Sequence, residues 1–409
     1  MSWLRRGLSC AAAASLLLGC HLLLELQGPE AGDAILLEAG APAEAGDAGV
    51  APPDPCAGRF APAAPPKDDA PSVELSSQYF AVISRSVLGA DGQLVRLNVD
   101  DLRSCAEPSS FEPNRRACVP LGNPEGGCDL DSCGGENQFG SLAIDGGIDT
   151  TSSLDSNASA GLSALMIYVA GYNGEANDKS VTVGLTRSVG IFSDEGCDGQ
   201  SRGRKPQSPT SRPRLPDGGR VAAYRATGDG CDRWLLPADG LLPGTSLEPE
   251  FVVTGYVTNN VLVARSPARA PFPVGPEVST RISGSVVVAR IERATADAGV
   301  PATFLVSDLV LGARLPLREF LPSLGAIQIG GALLCDSPAY ANFAQTVCAA
   351  ADLTSSTNTD DGELACDSIS TVFSAKVEPA RPTRDAGNII FTERSDCEAS
   401  RLIESCAAR

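Results

Sequence analysis

Asn173, Asn177 and Asp178 stand within six residues of one another in the run Gly171-Tyr-Asn-Gly-Glu-Ala-Asn-Asp178. Amide and carboxylate oxygens so spaced are the donors that a hard cation such as Ca²⁺ takes. The same side chains also satisfy the backbone of tight loops. Both readings are open, and Ca²⁺ is the one cofactor the chain suggests. Asp129, Asp131 and Glu136 beside Cys128 and Cys133 form a second oxygen-rich group, and Asp360-Asp-Gly-Glu363 a third. Neither has the glycine and terminal glutamate spacing of an EF-hand, so solvated loop carboxylates are their simpler reading.

Enzyme templates mostly fail. The one histidine, His21, lies close to the amino terminus, so a histidine-dependent triad has no base in the rest of the chain. No Gly-x-Ser-x-Gly elbow, P-loop or dinucleotide fingerprint occurs, and no serine stands three residues before any of the four lysines. A glycosidase needs only two suitably placed carboxylates, and 50 acidic side chains leave that class open. No residue is assigned a catalytic role. For carbohydrate binding the aromatic candidates are Tyr172, in the Asn-rich loop, and Trp234, three residues after Cys231. Trp234 can equally shield a disulfide.

Fourteen cysteines are the densest chemical signal. Cys10 and Cys20 fall at the amino terminus. The other twelve form an even set, which in an exported chain reads as a disulfide framework. No CxxC is present, and Cys128 and Cys133 lack a second matching pair, so structural zinc is disfavoured. Proximity alone suggests Cys397–Cys406, Cys335–Cys348 and Cys197–Cys231.

Export is read from the first residues. Arg5-Arg6 precede an uncharged stretch from Gly7, which leads into Leu17-Leu-Gly-Cys20. A charged start, an apolar run and a small residue before the cut make a secretory signal. The last four residues resemble a bacterial lipobox, which makes Cys20 the expected lipid attachment and the membrane the expected partner through that lipid. The apolar run continues through His21-Leu-Leu-Leu24, so an uncleaved anchor or an ordinary signal peptide are the alternatives. All three place the bulk of the chain outside the cytoplasm: lipid-anchored in the cell envelope, at the outer membrane or in the periplasm, or secreted.

Net charge is −18, which argues against nucleic acid as a partner; a glycan or another envelope protein remains.

The elements that must carry these residues are mainly strands. The expected organisation is a signal peptide over 1–19, a disordered Ala/Gly/Pro/Asp tether over 20–72, a β-rich domain over 73–380 and a cysteine-containing tail over 381–409. Ala164 to Ala170 is an apolar run fit for a buried strand, and Val181, Val183 and Leu185 alternate with small polar residues, so the two predict a hairpin. Asn259-Asn260 marks a tight turn between Phe251 to Thr258 and Val261 to Ala264. Gln78 to Val87, Gln93 to Val99, Ile282 to Ile291, Phe304 to Leu311 and Thr371 to Val377 complete the strands. The expected fold is a disulfide-rich, antiparallel, jelly-roll-like β-sandwich with one or two short helices. Ser337 and Pro338 cap and start one helix, whose apolar face includes Cys348. A weaker helix is expected from about Leu317 to Leu324.

The run Met166 to Val183 is similar to a segment of uncharacterised secreted and lipid-anchored proteins of myxobacterial type. Gly135-Glu-Asn-Gln-Phe-Gly140, Leu334-Cys-Asp336 with its helix, and Cys366-Asp-Ser-Ile-Ser370 share that likeness, over roughly residues 120–380. The resemblance implies an exported, disulfide-bearing β-rich domain and no particular substrate. The reading taken forward is a non-enzymatic structural or adhesive envelope lipoprotein. A carbohydrate-binding module is the alternative, and a carboxylate-dependent glycoside hydrolase the third possibility.

Overall fold

The computed structural model describes residues 56–384 together with Cys406, apart from 57, 72–77, 91–92, 103–116, 121–132, 146–150, 207–222, 245–246, 268, 275–277, 295–303, 330–331 and 359–363. The expected signal peptide, Cys20, Asp129, Asp131, the 360–363 acids, Cys397 and most of the tail lie outside the described residues.

Eight long antiparallel strands dominate: β1 (Gln78–Val87), β2 (Ala164–Ala170), β3 (Asp178–Ser188), β4 (Val252–Thr258), β5 (Val261–Ser266), β6 (Ser279–Arg293), β7 (Phe304–Pro316) and β8 (Ser368–Pro379). Each pairs with its neighbour in sequence, and β8 pairs back to β1. The result is an up-and-down ring of eight strands, one sheet closed on itself. The mainly β, antiparallel class is as expected. The connections, however, are not those of a jelly roll, because every long strand is followed by its own neighbour.

The predicted hairpin is β2–β3, with Ala164 opposite Ser188 and Ala170 opposite Thr182. The predicted tight turn joins β4 to β5, with Asn259 and Asn260 at φ 50° and 64°. Both angles are positive, as a two-residue type I′ hairpin turn requires. In β6 the pairing with β7 shifts between Ser283 and Val286, where Gly284 has φ 54°. A Cβ at Gly284 would stand 2.7 Å from the Arg314 side chain, so both backbone and space exclude other residues.

Alternation divides the core. Ala81, Ile83, Ile167, Val169, Val183, Leu185, Ala264, Val287, Leu311 and Phe373 point into the ring and fill it. Their neighbours Phe80, Val82, Met166 and Tyr168 point outward and are buried under Trp234, Leu236 and Ile191. Val286, Val288, Val310 and Val372 are covered on another side by Leu97, Val99 and Leu353. Burial on both faces explains why β2 reads as a continuous apolar run. Where nothing covers the ring, its outer face carries Arg265, Arg290, Glu292 and Lys376.

Among the described residues four helices accompany the ring: α1 (Gln138–Asp145), α2 (Thr151–Ser159), α3 (Leu317–Gly325) and α4 (Pro338–Ala349). α3 and α4 are the two expected ones, and the Ser337 side chain accepts from the Ala339 N–H as an N-cap. α1 and α2 add to the one or two foreseen. Gln93 to Val99 is a strand only at Gln93–Leu94; beyond it the chain becomes a cover whose Leu97 and Val99 reach the outer face of β6 and β8. Its alternation reflects that packing, with a single bridge from Leu97 to Glu136.

Disulfides join Cys56 to Cys133, Cys118 to Cys366, Cys197 to Cys231 and Cys348 to Cys406. The Cys197–Cys231 pairing is the one expected from proximity. The pairings Cys335–Cys348 and Cys397–Cys406 are corrected: Cys348 is turned inward with the apolar face of α4 and meets Cys406 across 58 residues. Cys335 is itself in a disulfide. Closeness in sequence is a poor guide because a helix carries its inward cysteine away from the residues before it.

The expected tether also needs correction at its end. The Arg59 carbonyl accepts from the Asn98 N–H, the Tyr256 hydroxyl donates to the Pro62 carbonyl, and the Asp69 N–H donates to the Asn177 carbonyl. Residues 58–71 therefore lie on the ring, held by backbone groups that composition does not reveal.

Candidate functional site

The Asn173 loop joins β2 to β3 at one end of the ring, and its donors are already spoken for. The Asn173 Oδ1 accepts from the Glu175 N–H at 2.9 Å, and its Nδ2 donates to the carbonyls of Asp69 and Asn177. Asp178 accepts from the Asn173 N–H at 2.7 Å and from the Ser180 N–H at 3.0 Å, one bond to each oxygen. The Asn177 Oδ1 accepts from the Asn259 N–H at 3.2 Å, while its Nδ2 donates to the Asp69 carboxylate at 2.9 Å. These oxygens converge on backbone N–H groups instead of on a common point. Among the described residues no group of three or more His, Cys, Asp or Glu is arranged to hold a metal. The loop ties residues 68–69, the β2–β3 hairpin and the β4–β5 turn into one end-piece. Replacing Asn177 by alanine is expected to cost about 1–2 kcal/mol in urea denaturation, because it strips partners from Asn259 and Asp69. Added Ca²⁺ is expected to leave the melting temperature unchanged.

The two aromatic candidates are interior. Tyr172 is 5 % exposed; its ring meets Phe304 edge-on with centroids 5.2 Å apart, and its hydroxyl donates to the Glu175 carbonyl. Burial, with Glu175 and Asp178 nearby, pushes that hydroxyl up to about 12. Trp234 is 1 % exposed and packs on the outward side of β1 and β2. Neither presents a ring face on which a sugar could stack, and residue type alone could not reveal this.

A polar cluster lies on the covered outer side of β8; it includes Glu136, expected as a solvated loop carboxylate but 2 % exposed, and residues that sequence reading missed. Asn137 is fully buried. Its Nδ2 donates to the carbonyls of Val95 and Val372, and its Oδ1 accepts from the N–H groups of Val372 and Gly140. The Glu136 carboxylate accepts from the Val99 N–H at 3.0 Å. Asp352 accepts from the Ser370 N–H at 2.7 Å and from its hydroxyl at 2.5 Å, while the Ser370 Oγ accepts from the Gln138 N–H at 2.8 Å. Enclosure away from water, and then the Asp100 carboxylate, push the Asp352 carboxyl up to about 7. The segments around Asn137 and Ser370 are two of those carrying the resemblance, and here they meet. Asp100 and Asp352 are a carboxyl pair, yet both are shut beneath the cover, so a glycoside cannot reach them.

A second, ionic cluster surrounds the Cys197–Cys231 bridge. Arg204 lies over the Tyr224 ring and contacts Asp194 at 2.9 Å and Asp232 at 2.7 Å; Arg202 contacts Asp229 at 2.9 Å. The hydrogen bond from Ser201, with that from Arg204, holds the Asp194 carboxyl below the usual carboxylate range. Its charges are mutually paired, which makes it a surface clamp.

At the end of the ring where β3 stops and β4 begins there is a narrow apolar slot. Val183, Leu185, Val253, Ala264, Ala270 and Val287 line it, with Ser285 on one wall. Comparison of the chain with protein-family models, with curated proteins and with solved structures finds no match.

Proposed function

We propose that this chain is an exported cell-envelope lipoprotein, anchored through Cys20, whose barrel is a non-enzymatic structural or adhesive domain. The observation that carries this reading is the set of disulfides that pin the covering segments to the ring. Cys56–Cys133 and Cys118–Cys366 fasten the outer cover, and Cys348–Cys406 fastens α4. Such bonds persist in oxidising compartments. Support also comes from the apolar filling of the ring, and from the charged side chains on the part of its outer face that no segment covers, which is unlike the lipid-facing surface of a barrel that spans a membrane. Among the described residues no helix is long and apolar enough to cross a membrane. The buried positions of Tyr172, Trp234, Asp100 and Asp352 favour this reading over a glycan platform or a two-carboxylate hydrolase.

The decisive measurement is the intact mass of the product from the membrane fraction, with and without reductant. A mature chain beginning at acylated Cys20, and gaining two hydrogens for each bridge on reduction, is expected. Free thiols in the native product, or an unacylated chain that still begins at Met1, would refute the reading. A glycan array on the folded domain is expected to give no hits that depend on Tyr172.

A further inference from the structure

The bridges differ in how far solvent reaches them. Cys118, Cys366, Cys133, Cys348 and Cys406 are buried, and Cys56 and Cys335 are half-buried. Among the described cysteines Cys197 alone is exposed, while its partner Cys231 is 9 % exposed. A tight turn carries Cys197 outward. Glu195 bridges to Ser201, the Gly196 N–H donates to the Gln200 carbonyl, and the Gly199 N–H donates to the Gly196 carbonyl. Cys231 lies beneath, its N–H donating to the Asp229 carboxylate at 2.9 Å, and the next residue, Asp232, is buried.

The segments that carry this bridge are held without it as well. Arg204 pairs with Asp194 and Asp232, and Arg202 with Asp229, which ties 194–204 to 229–232. Beyond Cys231, Arg233–Leu236 pairs with Arg381–Arg384, and Trp234 is packed on the ring. Opening the sulfur bond therefore leaves both halves in place, with Cys231 still beneath Cys197. At Cys118–Cys366, by contrast, a reagent must wait for the cover to lift.

Disulfides are opened by a thiolate attacking one sulfur, and access decides which sulfur is attacked. Here that sulfur is on Cys197. Arg381 places a cation beside it, its Nη1 donating to the Cys197 carbonyl at 3.3 Å.

We propose that Cys197–Cys231 is a thiol-exchange site, at which a low-molecular-weight thiol attaches reversibly to Cys197 as a mixed disulfide. The incoming thiolate bonds to the Cys197 Sγ, the bond between the two cysteines breaks, and Cys231 leaves as a thiolate that takes a proton from water. In the return step the Cys231 thiolate attacks the Cys197 Sγ and expels the incoming thiol. One sulfur–sulfur bond stands before and after each step, so no further oxidant or reductant is consumed. Without added thiol the bridge stays closed. The site thus lets the surface of the chain take up and release a small group while the barrel stays folded, and it does not depend on the anchor at Cys20.

The test treats the oxidised full chain with free cysteine in mildly alkaline buffer, blocks thiols with N-ethylmaleimide at intervals, and maps the unreduced peptides by mass spectrometry. Cysteine on Cys197 with maleimide on Cys231 is expected to appear at least about tenfold faster than any opening of Cys118–Cys366 or Cys56–Cys133, with unchanged circular dichroism. After removal of free cysteine the unblocked native adduct is expected to revert to the closed bridge. Cys231→Ser is expected to keep its adduct on Cys197, because no thiol remains beneath to expel it; if that variant does not fold, the native mapping still decides. Attachment first at Cys231, equally fast opening of a buried bridge, exchange only in urea that unfolds the barrel, or a native adduct that persists would each overturn the proposal.

Discussion

Replacing Cys118 and Cys366 together by alanine is expected to destabilise the barrel by about 5 kcal/mol, lowering the melting temperature by roughly 10 °C or more. The bond spans 248 residues, the longest separation among the described bridges. Cross-linking two points that far apart removes a large number of open conformations from the unfolded chain. Cys197–Cys231 shortens the connecting path by only its own 34 residues, so most of the restriction belongs to Cys118–Cys366 alone. Both sulfurs are fully buried, and each alanine also leaves a small void. The bond has a local task too: on either side of it the Val119 N–H donates to the Leu364 carbonyl and the Cys366 N–H to the Val119 carbonyl. Urea denaturation of the double variant checks this. The Cys197/Cys231 double variant should lose about 1–2 kcal/mol less, since its loop is shorter. A loss under about 1 kcal/mol in the first variant would show that the cover is held by packing alone.

Asp352 should make the protein less stable as pH rises. Its carboxyl is pushed up to about 7 in the folded state, against 3.8 for an ordinary aspartate. Between those values the folded chain holds a proton that the unfolded chain has released. Stability from this group is therefore fully present below about pH 4 and falls as pH climbs toward 7, by up to about 1.4 kcal/mol for each pH unit. Above 7 both states are ionised and the loss is complete. Asp352→Asn should remove that slope and be more stable than the native chain at pH 8. The asparagine oxygen can still accept from the Ser370 N–H, and its amide can donate to the Ser370 hydroxyl. Asp194, whose folded carboxyl is lowered, acts in the opposite sense and contributes stability lost only in acid. Denaturation midpoints from pH 4 to pH 8 would show the contrast, and parallel slopes for the two proteins would refute the role given to Asp352.

What could be read from the residues was local. The β2–β3 hairpin, the Asn259-Asn260 turn, the Ser337 cap and the Cys197–Cys231 bridge each follow from neighbours in the chain. Closure of the ring did not, because alternation says that a strand has two faces and nothing about which strand it meets. α2, Thr151–Ser159, is rich in serine and also holds one aspartate and one asparagine, residues that favour turns as much as helices. The Asn-rich loop was legible as a choice between a cation site and a braced turn, and only the direction of each oxygen decided it. Tyr172 and Trp234 looked like platforms because an aromatic is the same letter buried or exposed. Asp100, Asn137, Asp352 and Ser370 come together from four distant stretches, a proximity that periodicity cannot express.

The ring of eight strands has one more consequence, for copies crowded together. Each long strand has its backbone N–H and C=O groups taken up by two flanking strands. Among the described residues, the eight long strands thus offer neighbouring copies no bare margin on which to stack into fibrils. Contacts between crowded copies along the ring are left to the side chains on its outer face.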